Sequence, residues 1–477
     1  MRKHVPSILL LAVFALFGYL VVRYSMAGEV TPNSKKGHRA GRAAADDGSL
    51  TASAPDARAK EDADAATLER PLHVASTRME LLAPGLLANG GARTEPGSHY
   101  DSHGLSVEFT TLDDLGQLDE RDVDIAVVPL PTLVAAYEKL SDLQPTIFFV
   151  TGWWRGREAL ATPKAEALLG PGTYDDVELR GSAGETATFF SLFAMDLAGI
   201  PANTISITDE TDSGYVAVDR ASPEPETAPD GYKFVLSTAD ARGLIPYVAV
   251  APRTLVDTYP QPLRTWTRGW LTGRETLLDD RSDAGRTIAK EDPRSDESAI
   301  SERLNQMTFA SLRDNAELAG ASGGQKTPLV SLFELSWRLW REVGVLADPA
   351  PSSAPLSKQT IVALLRNHGE GLRTESDRSR ELSIPAAKLH EFDEDVALVH
   401  RHLDSAIDEN AFLDRLGIVA AAFPEARLEV TVDWNREKTE ELIDRAVDRR
   451  GIERNRLQMG SKVPGPGPAS IELLITR

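Results

Sequence analysis

The chain has 477 residues, 42% of them hydrophobic, enough for two to three domains of about 150 residues with cores of their own. Its 72 acidic residues against 52 basic give a net charge of −20, which excludes the broad basic face that a nucleic-acid partner requires. It has no cysteine, so disulfides, iron–sulfur clusters, zinc ribbons, thiol catalysis and a lipidated Cys anchor are excluded as well.

At the N-terminus, Arg2 and Lys3 precede an apolar stretch from Val5 to Val22. A helix of that length is about 27 Å long at about 1.5 Å per residue, close to the hydrocarbon thickness of about 30 Å. A cleaved signal has a shorter apolar region of about 7–15 residues, so the length favours an anchor. The small residues Ser25-Met26-Ala27 keep cleavage open as the alternative. Basic residues ahead of the stretch hold the N-terminus inside, and in either case the rest is exported. Residues 1–24 are therefore expected to be anchor or signal. Residues 25–70 lack any aromatic side chain and read as a disordered tether.

From residue 71 the texture is that of a folded domain. LHVAS (72–76), LSVEFTTL (105–112), VDIAVVPL (123–130) and PTIFFVT (145–151) read as strands, with a helix over 130–143 between the last two. Strands alternating with helices imply an α/β sheet covered on both faces. A second block has a short strand closing TYDDVELRG (173–181) and a helix in GSAGETATFFSLFAMDLAG (181–199). Further strands follow at 203–209, 215–219, 232–238 and in IPYVAVAPRTLVD (245–257). Helices are expected over 262–278, 297–320 and 328–345. The few residues between the strands NTISITD and YVAVD are short of the roughly 10–12 that a parallel crossover needs. ADPAPSSAPLS (347–357) reads as a linker, followed by a helix over 359–373. The last 80 or so residues read strand (397–405), helix (410–423), strand (426–434), helix (436–451), strand (469–477), a small α+β unit.

The chain does not read as an enzyme. It contains no HExxH, GxSxG, GxxxxGK[ST] or GxGxxG motif, and no cofactor or metal site is expected. His400 and His402 share one face of a strand, but two histidines without a third ligand are more often a solvated pair than a zinc site. Three features are candidates for lining a ligand cleft. In RGSAGETATFF, Ser182, Gly184 and Thr186 lie where a strand passes into a helix, a place that suits an anion, although ordinary capping uses the same residues. In LLANGGARTEPG, Asn89 stands in a Gly-rich turn that is equally an ordinary loop. In VTGWWRGRE, Trp153 and Trp154 point to opposite sides of an extended chain, so one of them is free to wall a cleft beside Arg155.

The order of DVDIAVVPLPTLVAAYEKL, GWWRG, VELRGSAGETATFF, LSTADARGLIPYVAVAPRTLVDTYPQPLRTWTRGWLTG and SLRDNAELAG resembles the nitrate/sulfonate/taurine-type solute-binding proteins, some labelled phosphate-type. The resemblance covers about residues 71–345 and implies a bilobed type-2 periplasmic binding protein fold. The ligand would be a small molecule, with anions of the phosphate, nitrate or sulfonate class as candidates. It would lie between the lobes and be delivered to an ABC permease, with GWWRG at the first crossing. Residues 346–393 would be linker and helix. The tail, 394–477, resembles an OmpA-like peptidoglycan-binding domain in LDSAIDENAFLDRLGIVAAAFPEARLEVTVD and LIDRAVDRRGIERNRLQMGSK. That implies peptidoglycan as a partner, with Asp433 at the family's acidic position. Its arginine position falls on Lys438 or Thr439, and lysine lacks the bidentate fork. The implied location is the periplasmic side of the bacterial inner membrane, anchored N-terminally, or the periplasm if the leader is cleaved. The alternative is a non-transport structural protein linking membrane and cell wall, its cleft degenerate.

Overall fold

In the computed structural model the described residues are 68–113, 115–118, 122–163, 176–209, 214–220, 230–291, 296–321, 327–367, 399–404, 409–424, 426–432, 436–450, 452, 454–459 and 470–476. The expected anchor, nearly all of the tether, all of 368–398, and Asp433 lie outside them. Among the described residues no helix is long and apolar enough to cross a membrane.

Apolar strands buried on both faces need cover on both faces, and the first lobe supplies it. Its strands are β1 (Leu72–Ser76), β2 (Val107–Thr111), β3 (Ile125–Pro129), β4 (Thr146–Trp154), β10 (Pro246–Ala251) and β11 (Met307–Phe309). They lie in the order β11-β4-β10-β3-β1-β2, with β1 parallel to β2 and β3, and β10 antiparallel to β3 and β4. The two-residue alternation splits each strand. Leu72, Val74, Ile125 and Val127 join one core with α1 (Ala83–Asn89), α4 (Pro260–Asp279) and α5 (Arg281–Glu291). Ala75, Ala126 and Val128 join another with α2 (Leu130–Ala136) and α8 (Pro328–Glu342).

The second lobe is a five-stranded sheet in the order β7-β6-β8-β5-β9. These strands are β5 (Glu158–Thr162), β6 (Val177–Arg180), β7 (Ile205–Thr208), β8 (Tyr215–Asp219) and β9 (Lys233–Ser237). Helix α3 (Thr186–Ala198) packs on it. The short stretch before β8 needs no full crossover, because β8 is staggered. It meets β6 only at Leu179↔Tyr215 and Arg180↔Val216, the level at which β7 has ended, Arg180↔Thr208. The chain has only to pass sideways over one strand.

The helix expected over 297–320 is divided into α6 (Glu297–Gln306) and α7 (Leu312–Leu318) by β11. Met307–Phe309 pairs with Trp154–Gly152, and a capping box between Ser311 and Asp314 restarts the helix. The 347–357 stretch is fixed rather than a free linker. Ile147 donates to the Pro355 carbonyl at 2.8 Å and accepts from Ser357 N–H at 2.8 Å, extending the edge of β4. Helix α9 (Gln359–Asn367) follows.

The tail is an α+β unit with strands β12 (Val399–Asp404), β13 (Arg427–Val432), β14 (Leu457–Met459) and β15 (Ser470–Thr476). Its helices are α10 (Glu409–Ala422) and α11 (Arg436–Arg450). The sheet order is β12-β15-β13-β14; β13 and β14 are parallel, and β15 runs antiparallel to both of its neighbours. Phe412, Leu416, Leu428 and Ile443 form its core, which is continuous with that of the lobes.

Candidate functional site at the crossing between the lobes

Two segments carry the chain between the sheets. β4 ends at Trp154 and β5 begins at Glu158, while β9 ends at Ser237 and β10 begins at Pro246. In an extended chain Trp154 and Arg157 would face opposite ways. Gly156 breaks that alternation with φ of +75°, a conformation glycine adopts without strain. The Arg157 guanidinium consequently lies over the Trp154 ring, 4.8 Å from its centroid, and Arg78, just beyond β1, lies 5.7 Å from the same ring.

Arg157 is the centre of a polar cluster that is buried at Glu158, Thr238 and Tyr247 and open to solvent at Asp219. Its Nε and Nη2 donate to the two carboxylate oxygens of Asp219 at 2.8 and 2.7 Å, and its Nη1 donates to the Tyr247 hydroxyl at 2.8 Å. Burial works against the charge on Arg157, but Tyr247, Asp219 and Glu158 outweigh it, so the proton is held well above the ordinary range. Glu158 is 1% exposed. Its Oε2 accepts from the Thr238 hydroxyl at 3.0 Å. Burial pushes its carboxyl up, against the opposing pull of Arg157 and of the Thr186 and Thr238 hydroxyls. Burial likewise pushes the Tyr247 phenol well up. The cluster therefore draws on both crossings and both sheets.

The structure places the expected site residues unequally. Trp154 and Thr186 belong to this cluster. Trp154 is buried in the first lobe, its indole N–H donating to Gln306 Oε1 at 3.1 Å. Trp153 points the other way, half-buried against the larger core, with its Nε1 shut off from solvent and without a hydrogen-bond partner. Arg155 is 3% exposed, its backbone N–H donating to the Gln306 carbonyl at 2.9 Å, and Arg157 is an arginine that reaches both sheets, at Asp219 and Tyr247. Gly184, with φ of +84°, offers its carbonyl to the Thr132 hydroxyl at 3.1 Å, a direct contact between the second lobe and α2 of the first. Ser182 is exposed, and its backbone N–H donates to Thr188 Oγ1 at 3.0 Å. The hydroxyl of Thr188 thus orders the turn ahead of α3, whose N-cap residue Glu185 makes no side-chain capping bond.

Asn89 must be moved out of the site. It is fully buried, and its amide holds the Gly91 and Val107 carbonyls at 3.0 and 3.2 Å while accepting from Thr94 at 2.8 Å. Every polar atom of that side chain is engaged in closing its own loop. Lys438 is exposed in the first turn of α11, and Thr439 beside it is buried. Asp433 lies outside the described residues.

Sequence reasoning missed Arg157, Glu158, Asp219, Thr238 and Tyr247. A signal was present, since Arg157-Glu158 is a charged pair set between two apolar stretches. Among the described residues no group of three or more His, Asp or Glu side chains could hold a metal ion.

The fold is similar to that of periplasmic solute-binding proteins. The alkanesulfonate-binding protein of Xanthomonas axonopodis pv. citri shares 10% identity over 59% of this chain and 96% of its own, with a TM-score of 0.41. The nitrate-binding protein of Synechocystis PCC 6803 shares 12% identity over 67% and 91%, TM-score 0.41. A Candida albicans gene product described as having the generic periplasmic binding protein fold shares 14% over 62% and 95%, TM-score 0.40. No known family profile and no curated protein matches the chain.

Proposed function

We propose that this chain is a solute-binding protein of an exported, ABC-type uptake system, not an enzyme, and that it holds a small ligand at the junction of its two lobes. The observation that carries this reading is the pair of crossings, 155–157 and 238–245, converging on one polar cluster between two separate sheets. Sites of this kind form preferentially where two α/β units meet. The buried, unpaired indole N–H of Trp153 at the same crossing favours a ligand with an acceptor oxygen, which fits the phosphate, nitrate or sulfonate class. A permease would be its partner. The apolar leader would export it to the periplasmic side of the inner membrane, as an anchor if retained. The tail would be an OmpA-like unit weakened for peptidoglycan at Lys438.

A second reading, a structural protein whose cleft has lost its ligand, is favoured by a specific observation. Asp219 and Tyr247 already engage all three nitrogens of Arg157, and Thr132 already touches Gly184 across the lobes. The test is thermal denaturation of the full chain with phosphate, nitrate, an alkanesulfonate and a small amine. A ligand at a hundred times its Kd stabilises by about 2.7 kcal/mol. Transport predicts an upward shift with one of the anions that is reduced in Trp153→Phe. No shift with any of them favours the structural reading.

A further inference from the structure

We infer that the C-terminal α+β unit is a built-in clamp. It seats its helix α10 against both lobes and the return crossing at once, and so restrains the lobes from parting. The inference stands whether or not the junction binds a ligand, because it concerns what holds the lobes together.

Helix α8 belongs to the first lobe. The Trp340 indole N–H donates to the Pro131 carbonyl at 2.9 Å, and Tyr137 packs edge-on against Phe333 and Trp337 at 6.0 and 5.6 Å. The same helix reaches the second lobe, where Trp340 meets Phe189 at 6.0 Å and Arg338 donates to Asp196 at 2.9 Å. From the tail, Arg415 of α10 donates to the same Asp196 oxygen at 3.1 Å, and Phe423 lies 6.1 Å from Phe193. Asp196 is 8% exposed, so one nearly buried carboxylate is shared by an arginine of the first lobe and an arginine of the tail. A buried carboxylate that loses a cationic partner is costly, which opposes any motion separating these three elements.

The third attachment is backbone to backbone. Gly243 lies in the return crossing, and its N–H donates to the Ala422 carbonyl at 3.0 Å. A Cβ built at Gly243 would stand 2.0 Å from the Ala421 carbonyl oxygen, far inside contact distance. The crossing must deform if the lobes rotate about it, and the end of α10 rests directly on it. Release of the tail, by a partner that takes α10 or the sheet behind it, would free that crossing.

The chain has no cysteine, so labels can be placed cleanly. Thr77→Cys and Ala183→Cys put one probe at each lobe's exposed edge of the junction. The distance between them is measured in the full chain by pulsed spin-label spectroscopy, and amide exchange is followed in α10 and in residues 238–245. The parent should give one narrow distance. Gly243→Val should speed exchange in both segments at least tenfold and add a population several ångströms longer. Arg415→Ala combined with Phe423→Ala should do the same, and serves if Gly243→Val does not accumulate folded. Faster exchange in α10 with an unchanged lobe distance would overturn the clamp. So would a broad distance in the parent, or a Gly243→Val chain whose α10 exchanges as the parent's does.

Discussion

Side by side in the sequence, Trp153 and Trp154 have opposite environments, and their substitutions should separate. Trp154 is 3% exposed and carries two guanidinium groups near its ring and a hydrogen bond at its edge. Trp154→Ala should cost about 3–5 kcal/mol in denaturant unfolding. Trp153→Phe keeps one aromatic ring of a half-buried side chain and removes the rest of the indole with its unpartnered N–H, so it should cost less than about 2 kcal/mol while weakening an anion. Comparable losses for both would mean that neither faces the junction. Glu158 gives the pH dependence. Its raised carboxyl means that the folded chain holds this proton more tightly than the unfolded chain does. The stability it contributes is therefore full below the ordinary Glu range, about 4.3, and is lost as pH rises through the raised value. Glu158→Gln should raise the melting temperature, relative to the parent, more at about pH 7.5 than at about pH 4. An equal change at both would show that Glu158 does not titrate with folding.

At the scale of elements, most strands were legible because continuous apolar runs bounded by turn residues leave few alternatives. LHVAS forms β1 with the expected ends, and VDIAVVPL contains β3. β5 was not legible. Its residues, EALAT, have poor strand propensity, and all five are buried because β8 and β9 flank them and α3 packs on the strand. β11 was hidden for a related reason, three residues inside a helical pattern that the edge of β4 recruits. The residues of the site followed the same division. GWWRG lies at a crossing, but the stacking of Arg157 on Trp154 depends on the positive φ of Gly156, which an alternation argument cannot supply. The edge of β4 gives the element-scale prediction. Asn315 in α7 accepts from Val150 N–H at 2.7 Å and donates to its carbonyl at 2.9 Å, completing a strand where no neighbouring strand does. Asn315→Ala leaves two buried backbone groups unpaired at about 1–3 kcal/mol each. Asn315→Asp should recover only the acceptor half, read as an intermediate unfolding midpoint.

The arrangement of the whole molecule turns on one helix more than on any motif. TATFFSLFAMDLA reads in sequence as an amphipathic helix, yet every residue from Thr186 to Leu197 is buried, so the helix needs cover all round. The second lobe's sheet covers one side of α3, α8 another, and the tail's β12 and Phe423 a third, so lobes and tail share one continuous core. Bodies that share a core unfold together. Calorimetry of the full chain should therefore show a single transition. Cutting after Asn367, which keeps the 347–357 stretch on β4 and helix α9 in place, uncovers Phe193 and the α10-facing side of α8, at about 1.5–3 kcal/mol for each large apolar side chain exposed. The truncated chain should melt at least about 5 °C lower, given about 2–4 °C per kcal/mol for domains of roughly 150–250 residues, and should expose surface that binds a hydrophobic dye. Equal midpoints for the cut and uncut chains, with a separate second transition for the tail, would show two bodies that merely touch. The buried circumference of α3 would then need another cover.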